Sequence, residues 1–342
     1  MPAQTEANQI PVPVFRMLGS DPVPQYDQRI KKKRQGNVTL EPVYSYSGGD
    51  SAWVDWYLKE FVEGECMEFA YIQAGQENSF TWAQMAKGLE YQLPLIAKLR
   101  DEKKVKVETL AASGKWFRDH YKTTPATAVT IKEDLPGSDC KTVWFDSRFY
   151  RANVLWEHGT FRITDIHLFD ENFASDYYTQ KETTSNFHLY TLPFIDGYTG
   201  SPERITGLYL KAVINGKEMP VEGGDPLVND SVRGELHITW PLKSMEGTFH
   251  VDFDEQHMEL SLAGNKAAQW FLEFTTADSV NMPAIKTAPD RIDCQFKGMD
   301  YVVTLTKGSF SEPGKGVVAR FLPDKGFLAL DLSQANGKNQ GK

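Results

Sequence analysis

The feature that most constrains this chain is a change of pattern near Thr123. Beyond it almost every segment reads as a short strand. Residues 141–145, 149–156 and 161–169 predict a meander turning at His158-Gly159. Phe249, Val251 and Phe253 alternate with His250 and Asp252, the period of a half-buried strand. Residues 208–214 and 217–221 flank Asn215-Gly216, a pair suited to a two-residue hairpin turn. About a dozen such strands with turns between them predict an antiparallel β-sandwich.

Before Thr123, apolar runs alternate with helical stripes. Residues 12–18, 38–46, 67–74 and 105–111 read as strands, and 52–62, 81–102 and 114–121 as helices. In the second helix Trp82, Met85, Leu89, Leu93 and Ile96 recur at spacings of three and four and predict one core-facing stripe. Thr81 and Gln84 fit a capping box at its start, and Pro94 predicts a kink. Alternation of this kind implies parallel strands joined by crossover helices. Four such units fall short of an eight-stranded barrel, which takes about 250 residues. The expected fold class is therefore α+β and multidomain: a partial (β/α) barrel-like parallel sheet over 1–123, then an antiparallel β-sandwich over 124–333 and a polar tail over 334–342. A raw sheet edge near 12–18 would need covering by the N-terminal segment, a second copy of the chain or a partner.

Composition removes several function classes. A net charge of −9 argues against nucleic acid as a partner, because phosphate binding needs a basic face. The one basic run, Lys31 to Arg34, reads as a solvated loop. Cys66, Cys140 and Cys294 are odd in number and far apart, without CxxC or Cys/His metal spacing, so no disulfide framework, structural metal or cofactor is expected. No apolar run of about 18 residues predicts a membrane span. The N-terminus lacks an apolar signal core, which reads as cytoplasmic. A chain with its signal removed would look the same, leaving a periplasmic or exported location open.

In a parallel sheet with crossover helices, residues that face substrate sit at the C-terminal ends of strands. Here those ends carry Asp21, then Tyr46 and Asp50, then Gln76, Glu77 and Asn78, and finally Glu108 with Ser113. Two carboxylates across such a face can serve as acid and base, or acid and nucleophile, in glycoside hydrolysis. Glu77, just past an apolar run, is the candidate general acid, and Asp21 the candidate base or nucleophile. Gln76, Asn78, Asp50, Tyr46 and Glu108 are the candidate substrate-binding groups. Each acid has a plainer reading: Glu77 at a helix N-terminus, Asp21 in a turn before Pro22, Asp50 as a helix cap, Glu108 in an ion pair. Tyr26, Tyr44, Tyr46, Trp53 and Trp82 offer flat faces to sugar rings, with the helical tryptophans also suiting a core. Asp165, His167 and Asp170 could be metal ligands but fit a structural network more simply. No GxSxG elbow, P-loop or dinucleotide fingerprint occurs.

Four blocks, VFRMLGSDPVPQYD, AYIQAGQENSFTWAQMAKGLEYQLPL, VKVETLAASGKWF and WFDSRFYRANVLWEHGTFRITDIHLFDE, resemble a family of uncharacterised glycoside hydrolase-like proteins from gut bacteria. The resemblance covers about residues 12–200. It implies a barrel of the glycoside hydrolase/polysaccharide deacetylase type followed by a β-sandwich, and a glycan or oligosaccharide as ligand. It carries over no catalytic residue. Relative to that pattern the earlier barrel strands are missing. The chain then reads as a glycoside hydrolase-like enzyme, a non-catalytic carbohydrate-binding protein, or one piece of a split enzyme completed by a partner.

Overall fold

The computed structural model describes residues 2–15, 22–23, 40–75, 79–178, 180–184, 190–277, 282–311 and 317–333. The chain forms two compact units. The smaller comprises Ile10–Lys122 and Thr127–Val143, and the larger Met1–Gln9, Thr123–Ala126 and Trp144–Lys342.

The smaller unit holds helix α1 (Ser51–Leu58), which widens into a π-helical turn over Lys59–Glu63, and the short strand β1 (Cys66–Met67). Helices α2 (Trp82–Asp101) and α3 (Leu110–His120) and strand β2 (Thr127–Ile131) come after it in the chain. Strand β3 (Cys140–Asp146) carries the chain from one unit into the other. Asp50 caps α1 by accepting from the Ala52 N–H at 3.1 Å. Trp53, Val54, Trp56, Tyr57 and Leu58 make its buried face. The predicted capping box of α2 is present, with Gln84 Oε1 accepting from the Thr81 N–H at 2.9 Å.

Here the expected partial (β/α) barrel is corrected. Among the described residues no parallel strand pair occurs, and β1 pairs β2 antiparallel, Cys66 opposite Val129. Of the segment 67–74 only Met67 lies in a strand, and 105–109 has no regular structure before α3 begins. Residues 40–50 form successive turns, while 16–18 lie outside the described residues. The physical reason lies in the side chains. Phe69 and Tyr71 pack ring against ring: Phe15 stacks on Tyr71 with centroids 4.5 Å apart, and Phe69 meets Trp116 and Phe117 of α3 at 5.6 and 5.9 Å. These apolar runs reach an aromatic cluster without entering a hydrogen-bonded ladder.

The stripe predicted on α2 is also corrected. Trp82 is 61% and Leu93 55% exposed, and the buried positions are Gly88 and Gln92. Gln92 Nε2 donates to the Gly48 carbonyl at 2.6 Å, and a Cβ on Gly88 would lie 2.5 Å from Pro42. A close backbone approach to the 40–50 turns therefore sets which face of α2 is covered.

The larger unit continues with β4 (Tyr150–Glu157), β5 (Thr160–Leu168), β6 (Leu192–Asp196), β7 (Gly207–Ile214), β8 (Lys217–Pro220) and β9 (Leu227–Asn229). Next come β10 (Leu236–Pro241), β11 (Thr248–Phe253), β12 (His257–Ala263), β13 (Trp270–Thr275) and β14 (Ala284–Ala288). The last are β15 (Arg291–Phe296), β16 (Met299–Lys307), β17 (Ser309–Ser311), β18 (Ala319–Leu322) and β19 (Phe327–Asp331). Within this unit one sheet runs β3-β4-β5-β7-β13-β18-β17, β3 entering with its last residues, with β6 on β5 and β8 on β7; the other runs β14-β15-β16-β19-β12-β11-β10-β9. The registers described are antiparallel. The two sheets face each other across aromatic rings. Phe161 lies 5.9 Å from Trp240 and 5.6 Å from Phe249, and Phe145 stacks on Phe253 at 5.1 Å. This is a sandwich-like arrangement.

Strand β5 is irregular at one point. Asn153 pairs Asp165 while Val154 pairs Ile163, so Thr164 is an extra residue on β5. A bulge of this kind reverses the alternation of faces. Asp165 and His167 therefore point to the opposite face from Phe161 and Ile163. Beyond the bulge β5 changes neighbour: Arg162 and Ile163 pair with β7, while Asp165 to Leu168 pair with β6. No helix among the described residues is long and apolar enough to cross a membrane.

Candidate functional site

The expected catalytic pair, Glu77 and Asp21, lies outside the described residues, as do Gln76 and Asn78. The remaining candidates occupy two places. Glu108 is a surface residue preceding α3. Its carboxylate accepts from Ser113 Oγ at 3.0 Å and pairs with Lys106 Nζ at 2.7 Å. The Lys106 and Ser113 hydrogen bonds hold its carboxyl below the usual carboxylate range. Asp50 spends one oxygen on the α1 cap.

Tyr46 sits in the turns just before Asp50. These turns are pinned by backbone bonds: Ser47 N–H to Tyr44 O at 3.1 Å, Gly49 N–H to Tyr44 O at 3.0 Å and Asp50 N–H to Ser47 O at 2.8 Å. Tyr46 stacks on Tyr44 with centroids 5.5 Å apart and 23° between planes, and Phe80 meets Tyr44 edge-on at 6.2 Å. Tyr46 is 52% exposed. The result is a flat aromatic step on a hydrogen-bonded scaffold, close in sequence to the Asp50 carboxylate. Of the other aromatics weighed for sugar stacking, Trp53 is wholly buried, whereas Trp82 is exposed. Tyr26 lies outside the described residues.

An open groove of about 700 Å³ also belongs to the smaller unit. Its lysines are each matched to an acid: Lys59 to Glu133 at 2.8 Å, Lys132 to Glu65 at 2.5 Å and Lys141 to Asp139 at 2.7 Å. Its lining holds no aromatic ring. Such a groove offers charge already paired and no stacking face.

A third cluster forms in the larger unit around the β5 bulge. Asp165 is fully buried and accepts from Arg151 Nε at 2.9 Å and Nη2 at 3.2 Å. Asp196, at the end of β6, stands directly opposite Asp165, and its carboxylate also caps the next turn by accepting from the Tyr198 N–H at 2.9 Å. His167 Nδ1 lies 2.6 Å from Thr191 Oγ1. Its Nε2 lies 3.5 Å from Asp165 Oδ2, and it is buried without a hydrogen bond. Burial pulls the imidazole below its ordinary pKa, against the opposing charge of Asp165. Sequence reasoning singled out Asp165 and His167 but put Asp170 with them; Asp170 instead bonds Asn172 at 2.8 Å. It missed Asp196, Arg151 and Thr191, because strand pairing brings them in and no local spacing marks them.

Compared with protein-family models, with curated proteins and with solved structures, the chain finds no match.

Proposed function

We propose that this chain is a non-catalytic carbohydrate-binding protein, with the Tyr44–Tyr46 step as its glycan platform. The observation that carries this reading is Tyr46 itself: stacked on Tyr44 and half open to solvent on a turn held by backbone hydrogen bonds. An aromatic ring presents a large rigid face at low cost in side-chain entropy. Fixing that ring in advance removes part of the ordering cost of binding. The hydrolytic reading needs two free-acting carboxylates across an open site. The pair expected to supply them, Glu77 and Asp21, lies outside the described residues, and of the two substrate-binding acids that are described, Asp50 caps α1 and Glu108 is held by Lys106 and Ser113.

Immobilised plant and bacterial polysaccharides in affinity electrophoresis provide the test. The chain is expected to be retarded by at least one polysaccharide without releasing reducing ends from it. Tyr46→Ala is expected to weaken that retardation about tenfold or more, equivalent to about 1.4 kcal/mol, with an unchanged circular dichroism spectrum. Retardation that survives Tyr46→Ala moves the platform elsewhere. Steady release of reducing ends rejects the non-catalytic reading.

A further inference from the structure

We infer that Asp165, His167 and Asp196 form a binding site for a first-row divalent cation of the Mn²⁺ or Zn²⁺ kind. The site is independent of the glycan platform and lies in the larger unit. One ligand atom from each residue can be chosen so that all lie within 4.8 Å of one another. The His167 Nε2 to Asp165 Oδ2 separation of 3.5 Å is close to the edge of a tetrahedral site, since two donors about 2.1 Å from an ion lie roughly 3.4 Å apart. The three donors are therefore grouped closely enough to converge on one ion with small side-chain adjustments.

The second observation is the orphaned imidazole nitrogen. His167 is 7% exposed, and its Nε2 makes no hydrogen bond. Leaving such a group unsatisfied costs about 1–3 kcal/mol. With the Nδ1 proton given to Thr191 Oγ1, the Nε2 lone pair faces the carboxylates. That is how metal-binding histidines are oriented, by a hydrogen bond on the other nitrogen. Arg151 plays the equivalent part for Asp165, gripping both oxygens from outside.

Charge points the same way. Asp165 and Asp196 are register partners across β5 and β6, and like charges directly opposite one another destabilise a sheet. Arg151 offsets one of the two. A divalent cation offsets the other and satisfies Nε2 at the same time. Asp196 is half-buried, so the site opens on its side, where water completes the coordination. One imidazole with two carboxylates suits Mn²⁺ or Zn²⁺, whereas Mg²⁺ and Ca²⁺ prefer oxygen alone.

The experiment uses the full chain freed of metal by a chelator and titrated calorimetrically with MnCl₂ and with ZnCl₂. One ion per chain is expected, with a thermal midpoint raised by Mn²⁺ or Zn²⁺ and unmoved by Mg²⁺. Asp196→Asn keeps an oxygen for the Tyr198 cap, and His167→Gln keeps a polar group beside Thr191. Each is expected to weaken binding at least tenfold and to remove the midpoint shift. Should His167→Gln fail to fold, Asp196→Asn decides alone. Absence of one-to-one binding up to about 1 mM, or unchanged affinity in Asp196→Asn, overturns the site.

Discussion

Glu108 shows how a single residue can be read correctly in chemistry and wrongly in place. The sequence placed it at the end of a strand, as a substrate-binding group or as one half of an ion pair. The structure puts it at the surface, with its partner two residues away in Lys106. Because the Lys106 and Ser113 hydrogen bonds depress its pKa, the contribution to stability is present above the unfolded carboxyl value. It is lost as pH falls through the lower folded value. Lys106→Ala is expected to raise the Glu108 pKa toward the ordinary value, read by a carbon-detected NMR titration. An unmoved titration would mean that Ser113 alone sets it. Asp50 is the opposite case. Its role as a helix cap is legible from the sequence, because an Asx cap is decided by residues within one turn.

At the scale of elements, local chemistry again separates what could be read from what could not. Asn215-Gly216 and His158-Gly159 both turn hairpins as predicted, with φ of 52° and 76° in the first and 50° and 75° in the second. Left-handed pairs of this kind are encoded in two residues. The Thr164 bulge has no such signature. It arises from the register of β5 against β4, and it re-aims Asp165 and His167. Helix α2 shows the same limit, because its periodicity predicted one face and Gly88 and Gln92 define another. A glycine in a helix interior costs about 0.8–1 kcal/mol relative to alanine, so propensity alone makes Gly88→Ala stabilising. The Pro42 backbone and ring, 2.5 Å from where the new Cβ would sit, reverse the sign. Overpacking of this kind costs about 1–3 kcal/mol. Gly88→Ala is therefore expected to lower the urea midpoint, and a raised midpoint would show that the 40–50 turns yield easily.

In the molecule as a whole, the larger unit is held by rings that bridge its two sheets. Phe161 of one sheet is 1% exposed and contacts Trp240 and Phe249 of the other. Phe161→Ala is expected to cost about 3–5 kcal/mol, measured as a shift in denaturant midpoint at constant slope. A loss under about 1 kcal/mol would mean that the cavity collapses and the sheets repack. The sequence by itself determined many of the short strands after Thr123, two of their tight turns, the first two helices with their caps, and the acids and aromatics available for a site. Each depends on neighbours within a few residues, so periodicity and turn chemistry suffice. Tertiary structure decided that the described residues of the first part pair no strands in parallel, since an apolar run becomes a strand only where a ladder accepts its backbone. It also decided that Asp196 meets Asp165 and His167, because strand register is a property of the pair and is written in neither strand alone.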